Sequence, residues 1–179
     1  MENRVKILVM GLENSGKTSI VLHRYKKEKN LLSYLSLKPT RKIDISHVEE
    51  EGVDVSIWDY GGQEKYRKSY MKHMDDHVRQ ADEILFVLDV QDKDKYEKAL
   101  DYFKHIMDTV KKTGENPKVS LFLHKADPNV EEIAPFITDE FLNDLVGKFL
   151  NAVPENIPFE TYKTSIYAFF RMKAFHYQD

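Results

Sequence analysis

The segment that most directly suggests chemistry is GLENSGKT, residues 11–18. Gly11 and Gly16 are followed by Lys17 and Thr18, which gives the G-x-x-x-x-G-K-[ST] pattern of a phosphate-binding loop. Because they lack a Cβ, the two glycines can turn successive backbone N–H groups toward anionic oxygens. The segment follows the apolar run VKILVM and precedes an amphipathic stretch, as a loop between a strand and a helix should.

The side chains of this loop indicate a nucleoside triphosphate as the ligand. Lys17 supplies a positive charge to the terminal phosphates, and the Thr18 hydroxyl suits a hard cation such as Mg²⁺. The alternative is a glycine turn that only joins a strand to a helix. The residues of the loop predicted to contact the nucleotide are Gly11, Glu13, Asn14, Ser15, Gly16, Lys17, Thr18 and Ser19.

The stretch WDYGGQ, residues 58–63, carries the groups that a hydrolytic site would need. Asp59 is placed to hold a water of the Mg²⁺ shell, and Gly62 can bring its N–H close to a γ-phosphate. Gln63 then lies where it could orient an attacking water. The alternative interpretation is a surface turn at the end of a strand.

A third candidate is Thr40, in the sequence Lys38-Pro39-Thr40. Its hydroxyl could complete the coordination of the metal only while a γ-phosphate is present, and such a contact would act as a switch. Pro-Thr is also common in ordinary loops, so the position of the pair carries this interpretation. The predicted metal ligands are therefore Thr18, Thr40 and Asp59, and the predicted catalytic residues are Lys17, Thr40 and Gln63.

The stretch HKAD, residues 124–127, predicts which base is bound. A carboxylate at Asp127 can accept hydrogen bonds from both N1–H and the exocyclic amine of guanine, whereas adenine offers no such pair of donors. The aliphatic stem of Lys125 could cover the face of the base. The two residues could instead belong to a solvent-facing loop, but they stand where an α/β sheet forms its ligand crevice.

Short apolar runs and longer amphipathic segments alternate along the chain and must position these groups. Residues 5–10, 53–58, 84–89 and 119–124 are typical of strands buried on both faces. Residues 43–48 and 53–58 flank the charged turn EEEG and predict an antiparallel hairpin. Helical spacing of apolar residues predicts one helix over 94–112 and another after Thr138. The order predicts a three-layer α/β fold with right-handed crossovers.

Composition narrows the classes of protein to which the chain can belong. Its 179 residues suit one domain, and 41% hydrophobic residues without a long apolar run predict a soluble cytoplasmic protein. The absence of cysteine excludes disulfides, thiolate zinc sites, a cysteine nucleophile and a prenyl or palmitoyl anchor. The net charge of −3 comes from 27 basic and 30 acidic residues that are well mixed, so no nucleic-acid partner is expected. Membrane recruitment would need a partner.

Taken together, GLENSGKT, PT, WDYGGQ and HKAD occur in an order that resembles the Ras-like superfamily of small GTPases. GLENSGKT and WDYGGQ look like the Arf branch, whereas His124 and TSIY (residues 164–167) look like the Rag/Gtr branch. The resemblance implies a P-loop NTPase G domain over residues 1–179, with a mostly parallel six-stranded sheet and one antiparallel edge strand. It also implies binding of GTP or GDP with Mg²⁺, with Ser165 and Ile166 in the base-contacting loop.

The same resemblance implies a switch that hydrolyses GTP slowly and signals through loops around Thr40 and residues 59–74. Effectors, exchange factors and GTPase-activating proteins are the expected partners, together with a roadblock-like protein or a second G domain. Candidate partner anchors are Tyr60, Tyr66, Tyr70 and Met71, although Tyr66 and Tyr70 could equally pack against the sheet. A short final helix near residues 167–177 is expected, and it favours a chain cut from a longer protein.

Two residues depart from the usual family pattern. Glu13 stands where many members have glycine, so it should repel an arginine inserted by a partner, and Glu13→Gly should speed stimulated hydrolysis. His124 replaces an asparagine, makes fewer hydrogen bonds and should titrate near neutrality, which would reduce guanine affinity. Arg41 and Lys42 could supply the missing positive charge within the chain. Rival interpretations are a nucleotide kinase, for which an arginine-rich lid is lacking, and a nucleotide-bound scaffold without turnover.

Overall fold

The sheet that organises the molecule has six strands in the order β2-β3-β1-β4-β5-β6, and the computed structural model describes residues 4–166. β2 is antiparallel to β3, and the other neighbouring pairs are parallel. This confirms the predicted mostly parallel sheet with one antiparallel edge strand. The strands are β1 (Arg4–Met10), β2 (Ile43–Glu50), β3 (Val53–Tyr60), β4 (Glu83–Asp89), β5 (Lys118–His124) and β6 (Phe159–Thr164).

Helices connect the strands, and the two longest lie close to where apolar spacing predicts them. α7 begins after Thr138, whose hydroxyl accepts a hydrogen bond from the Phe141 N–H at 3.1 Å, as an N-cap should. α5 ends at Gly114, whose φ of 71° is left-handed. The helices are α1 (Lys17–Arg24), α2 (Leu31–Leu35), α3 (Glu64–Met71), α4 (Met74–Val78), α5 (Tyr96–Thr113), α6 (Val130–Ile133) and α7 (Asp139–Leu150), with a 3₁₀ turn at Lys93–Lys95.

Two apolar clusters lie on opposite faces of the sheet, because successive side chains of a strand point to opposite sides. Leu8 and Met10 of β1 face the cluster that contains residues of α3, α4, α5 and α7. Ile7 and Val9 face the smaller cluster, to which α1 contributes. Helices thus cover both faces of the described sheet, which gives the predicted three layers.

The carboxyl ends of the central strands bring the predicted motifs to one edge of the sheet. Val9 pairs with Asp59 across β1 and β3, while His124 pairs with Asp89 on one side and Thr164 on the other. The loop after Met10 therefore lies at the position where the strand order reverses. Open α/β sheets bind ligands at that position.

Two differences from the sequence expectations concern chain segments. The hairpin of β2 and β3 is longer than predicted by two residues on each strand. β6 was not assigned to any segment from the sequence. The helix expected near residues 167–177 and Tyr167 of the TSIY stretch lie outside the described residues. Within residues 4–166, no helix is both long enough and apolar enough to span a membrane.

Candidate nucleotide-binding site

The loop between β1 and α1 depends on its two glycines. Gly11 has φ of 147° and Gly16 has φ of 93°, both in the region that favours glycine. A Cβ on Gly11 would lie 2.3 Å from the Val87 carbonyl oxygen, and one on Gly16 would lie 2.3 Å from Cδ2 of His124. The loop therefore needs bare backbone at both positions, because it is packed against β4 and β5.

A cavity of ≈ 480 Å³ lies against this loop and brings most of the predicted nucleotide contacts together. Gly11, Ser15, His124 and Asp127 are predicted site residues that do not line it. Gly11 and Ser15 are buried behind the loop surface. The lining residues are Glu13, Asn14, Gly16, Lys17, Thr18, Ser19, Tyr34, Leu37, Lys38, Pro39, Thr40, Gly62, Gln63 and Lys125.

The three predicted metal ligands meet at the edge of this cavity. The Thr18 hydroxyl donates to Asp59 Oδ2 at 2.6 Å and lies 3.0 Å from Thr40 Oγ1, which in turn donates to Asp59 Oδ2 at 3.2 Å. Asp59 is 2% exposed, and its Oδ1 is buried without a hydrogen-bond partner among the described residues. Burial raises the pKa of Asp59, whereas the hydrogen bond from Thr18 lowers it. An orphaned carboxylate oxygen beside two hydroxyls fits a hard cation such as Mg²⁺.

Lys17 is buried next to this oxygen cluster and folds back onto its own loop. Its Nζ donates to the Leu12 carbonyl at 2.6 Å. Burial lowers the pKa of Lys17 to about 8, an effect that the charges of Asp59 and Glu13 oppose. The ammonium is therefore charged at neutral pH and lies within the loop that would receive phosphates.

The segment between β3 and α3 packs directly on the phosphate-binding loop. The Gly61 N–H donates to the Lys42 carbonyl at 2.7 Å. A Cβ on Gly62 would approach the Leu12 carbonyl carbon to 2.2 Å and the Glu13 nitrogen to 2.3 Å. Gln63 follows at the N-terminal boundary of α3 and lines the cavity. This contact holds Gly62 and Gln63 against the phosphate-binding loop at the cavity.

His124 contacts both the phosphate-binding loop and β6. Its ring packs against Gly16, and Nδ1 lies 2.9 Å from Thr164 Oγ1. The residue is 3% exposed, and burial lowers the pKa of His124 to about 4, with a further lowering from the charge of Lys125. The expectation that this imidazole titrates near neutrality is wrong, because the ring is removed from water and stays neutral.

Asp127 is held by two donors, of which one was not foreseen from the sequence. The Ser165 hydroxyl donates to Asp127 Oδ1, and the Gln91 amide donates to Oδ2 at 3.2 Å and to the Lys125 carbonyl at 2.7 Å. Lys125 Nζ donates to Asp89 Oδ2 at 2.6 Å. Asp89 is the last residue of β4 and Gln91 lies two residues after it, and their position in DVQD after an apolar run is the available signal.

A second cavity of ≈ 220 Å³ is lined by His124 and by two further predicted base contacts, whereas Asp127 lines neither cavity. Ser165 and Ile166 line it, together with Phe122 of β5 and Tyr34, which borders both cavities. The two cavities therefore separate a polar end around Lys17 from a more apolar end.

Three other sequence expectations need correction. Tyr60 and Tyr70 are 1% and 5% exposed, so they are core residues and not partner anchors, while Tyr66 is partly buried against the same core. Glu13 lies 3.3 Å from the Arg67 guanidinium and 3.9 Å from Lys95 Nζ. Its charge is offset within the chain, which removes the argument that it repels an inserted arginine.

The side chains predicted to supply an internal positive charge also lie outside the lining of the described cavity. Arg41 and Lys42 were the candidates for an internal positive charge, and both are exposed. The contribution of Lys42 to the site is instead its carbonyl, which accepts hydrogen bonds from the Gly61 N–H at 2.7 Å and from the Tyr70 hydroxyl at 2.6 Å.

Comparison with known proteins identifies the family to which this chain belongs. The model of the Gtr1/RagA G protein conserved region matches residues 6–176, nearly the whole chain. The chain belongs to the Gtr1/RagA G protein family. The resemblance to small GTPases is thereby confirmed, and the family model favours the Rag/Gtr branch over the Arf branch.

Individual relatives agree with the family assignment. The chain is 29% identical over 142 residues to the GTP-binding protein gtr1 of Schizosaccharomyces pombe and 28% identical over 127 residues to Ras-related GTP-binding protein A of Dictyostelium discoideum. These matches cover 76% and 68% of this chain but only 44% and 40% of the relatives, so the chain spans less than half of their length.

A solved structure confirms the fold. The Arl6 BBS3 small GTPase from Trypanosoma brucei, determined with the bound nucleotide analogue GppNp, superposes with a TM-score of 0.66. The match covers 97% of this chain and 98% of that one at 18% identity. The six-stranded α/β architecture is therefore that of a small GTPase.

Proposed function

We propose that this Gtr1/RagA-family domain is a guanine-nucleotide switch that binds GTP or GDP with Mg²⁺ and hydrolyses GTP slowly. The observation that carries the proposal is the meeting of Thr18, Thr40 and Asp59 beside the cavity of the phosphate-binding loop. These three oxygens come from three separate segments, and a metal at a triphosphate explains why they converge.

At the phosphate end, each residue has a distinct part. Lys17 and the backbone N–H groups after Gly11 would bind the phosphate oxygens. Thr18, Thr40 and Asp59 would hold Mg²⁺, which would supply positive charge to offset that of the phosphates. Gln63 would orient the attacking water, and the rate would depend on how well that side chain is held.

At the base end, Asp127 would accept hydrogen bonds from guanine, and Lys125 would cover the base with its stem. His124, Ser165 and Ile166 would shape this end of the site. Because Ser165 and Gln91 already hold the Asp127 carboxylate, its orientation is set before the base arrives.

Switching would follow from differential contact with the terminal phosphate. Thr40 and Gly62 would be held in the triphosphate state and released after hydrolysis, which changes the surface without rearranging the core. Effectors, exchange factors and GTPase-activating proteins would bind this surface. A second G domain or a roadblock-like protein is a further proposed partner, on the basis of the family. The proposal also includes a cytoplasmic location.

The test is a comparison of GTP, GDP and ATP binding with and without Mg²⁺, followed by phosphate release. We expect tight guanine binding, weak ATP binding and fast nucleotide loss after chelation. Asp59→Asn should remove the Mg²⁺ dependence, whereas Asp54→Asn, at the other end of the same strand, should not. Bound GTP that never converts would indicate a scaffold, and equal binding of ATP would refute the guanine site.

A further inference from the structure

Arg67 is a largely buried cation of α3 to which the proposed function assigns no role. Its side chain is 12% exposed, and Nη1 donates to the Gly62 carbonyl at 2.8 Å and to Glu13 Oε2 at 3.3 Å. The guanidinium also lies over the Tyr102 ring, 5.6 Å from its centroid. Arg67 therefore connects α3, the loop before it and the phosphate-binding loop.

These contacts hold Gln63 from both sides. The Gly62 carbonyl belongs to the same peptide unit as the Gln63 nitrogen, so the guanidinium fixes the orientation of that unit. The backbone N–H of Arg67 donates to the Gln63 carbonyl at 3.0 Å. The Arg67 side chain thus binds the peptide group before Gln63, and a helical hydrogen bond of the Arg67 backbone binds the peptide group after it.

Glu13 ties this arrangement to the phosphate-binding loop. Its carboxylate lies between Arg67 and Lys95, and Lys95 is itself paired with Asp92 at 2.6 Å. Close packing of Gly62 on Leu12 and Glu13 forms a second link between the same two segments. The phosphate-binding loop and Gln63 are therefore joined by an ion pair and by a backbone contact.

We propose that Arg67, held in place by Glu13, is a positioning residue that sets the orientation of Gln63 for GTP hydrolysis. This inference rests on the proposed function, since it assigns Gln63 the task of orienting water. Rates in phosphoryl transfer depend on positioning, and a misplacement of about 1 Å can cost on the order of 100-fold. Nucleotide affinity is expected to depend mainly on Lys17 and the loop backbone, whereas the guanidinium of Arg67 donates to the Gly62 carbonyl and the Glu13 side chain.

The test compares Arg67→Met, Arg67→Lys, Glu13→Gln and the double variant Glu13→Gln/Arg67→Met with the wild-type chain. Lys68→Met is the matched control, because Lys68 is the next residue of the same helix and its side chain is 71% exposed. The measurements are single-turnover GTP hydrolysis, GTP affinity, the unfolding midpoint and amide hydrogen exchange of residues 61–66 without nucleotide.

We expect Arg67→Met to slow hydrolysis about 10- to 100-fold with GTP affinity within about threefold, which is the split that a positioning role predicts. Exchange of residues 61–66 should become faster, Arg67→Lys should recover part of the rate, and Lys68→Met should change nothing. The double variant should be no slower than Arg67→Met, because both changes break one coupled arrangement.

Unchanged hydrolysis and exchange in Arg67→Met would overturn the inference. So would a joint fall of rate, affinity and unfolding midpoint, since that marks a structural role only. If Arg67→Met does not fold, Arg67→Lys and Glu13→Gln make the same comparison. Wild-type protein that binds GTP without turnover would refute the proposed hydrolysis, and the exchange data would then decide separately whether Arg67 holds this segment.

Discussion

At the residue scale, His124 links the phosphate-binding loop to the end of the sheet through a neutral imidazole. The ring fills the space that a Cβ on Gly16 would need, and Nδ1 reaches Thr164. Burial keeps the proton off this histidine at neutral pH. Folding therefore depends on the ring remaining neutral.

This dependence predicts an acid-sensitive stability. The unfolded chain takes up the proton near pH 6.5 and the folded chain only near pH 4, so the free energy of unfolding falls as the pH drops through this window. The loss attributable to His124 should be on the order of 2 kcal/mol at about pH 5 relative to about pH 7. Urea unfolding of wild type and His124→Asn at both values checks this, and an equally steep loss in His124→Asn would contradict it.

The side-chain amide of Gln91 holds two groups at the base end of the candidate site. Removing its amide leaves Asp127 Oδ2 without the donor at 3.2 Å and the Lys125 carbonyl without the donor at 2.7 Å. We expect Gln91→Leu to reduce the preference for GTP over ATP about 10-fold, because the carboxylate is less well oriented. Competition binding measures this, with Gln80→Leu as the control for an exposed glutamine.

At the element scale, the junction of β3 and α3 joins the phosphate-binding loop to the helix that carries Arg67. The approach of Gly62 to the Leu12 carbonyl leaves no room for a side chain, and both partners are backbone. Because this contact joins backbone atoms, the phosphate-binding loop and the start of α3 cannot move apart unless the contact is lost. The proposed switch therefore depends on the spacing between these two segments.

Two glycine substitutions test this junction against a neutral helix position. Gly62→Ala should lower GTP affinity and weaken the fold, since its Cβ would lie 2.2 Å from backbone. Gly147→Ala in α7 meets nothing within 4 Å and should stabilise the protein by about 0.5–1 kcal/mol through reduced chain entropy. Denaturant unfolding and nucleotide dissociation measure both, and equal effects would refute the contrast.

At the scale of the whole molecule, ligand binding and folding should be linked. The proposed nucleotide would contact segments after β1, β3, β5 and β6 together with the loop that carries Thr40, so the complete site exists only in the folded chain. Any ligand that binds the folded state alone stabilises it by mass action. The extent of that stabilisation reports the affinity directly.

This linkage gives a quantitative prediction. Magnesium with GTP at about 100 times its dissociation constant should stabilise the protein by roughly 2.7 kcal/mol, and chelation should remove most of the gain. Thermal unfolding over a series of GTP concentrations measures the shift. ATP is the matched comparison, and an equal shift with ATP would argue against recognition of guanine.

The sequence by itself determined five of the six strands, the two long helices and the loop with its glycines. Apolar periodicity and the need for bare backbone are local properties, and they are visible in residues 5–18 without knowledge of the fold. The meeting of Thr18, Thr40 and Asp59 was also foreseeable, because the carboxyl ends of the parallel strands β1 and β3 and the amino end of the antiparallel strand β2 lie at one edge of the sheet.

Only the tertiary structure decided which groups pair and which lose their water. Glu13 and Arg67 are 54 residues apart, and no local pattern places them in contact. His124 is neutral because burial removes its ring from water, and Tyr60 and Tyr70 are buried because they pack in the core. Pairing and desolvation depend on the whole set of neighbours in space, whereas periodicity and glycine spacing depend on the chain alone.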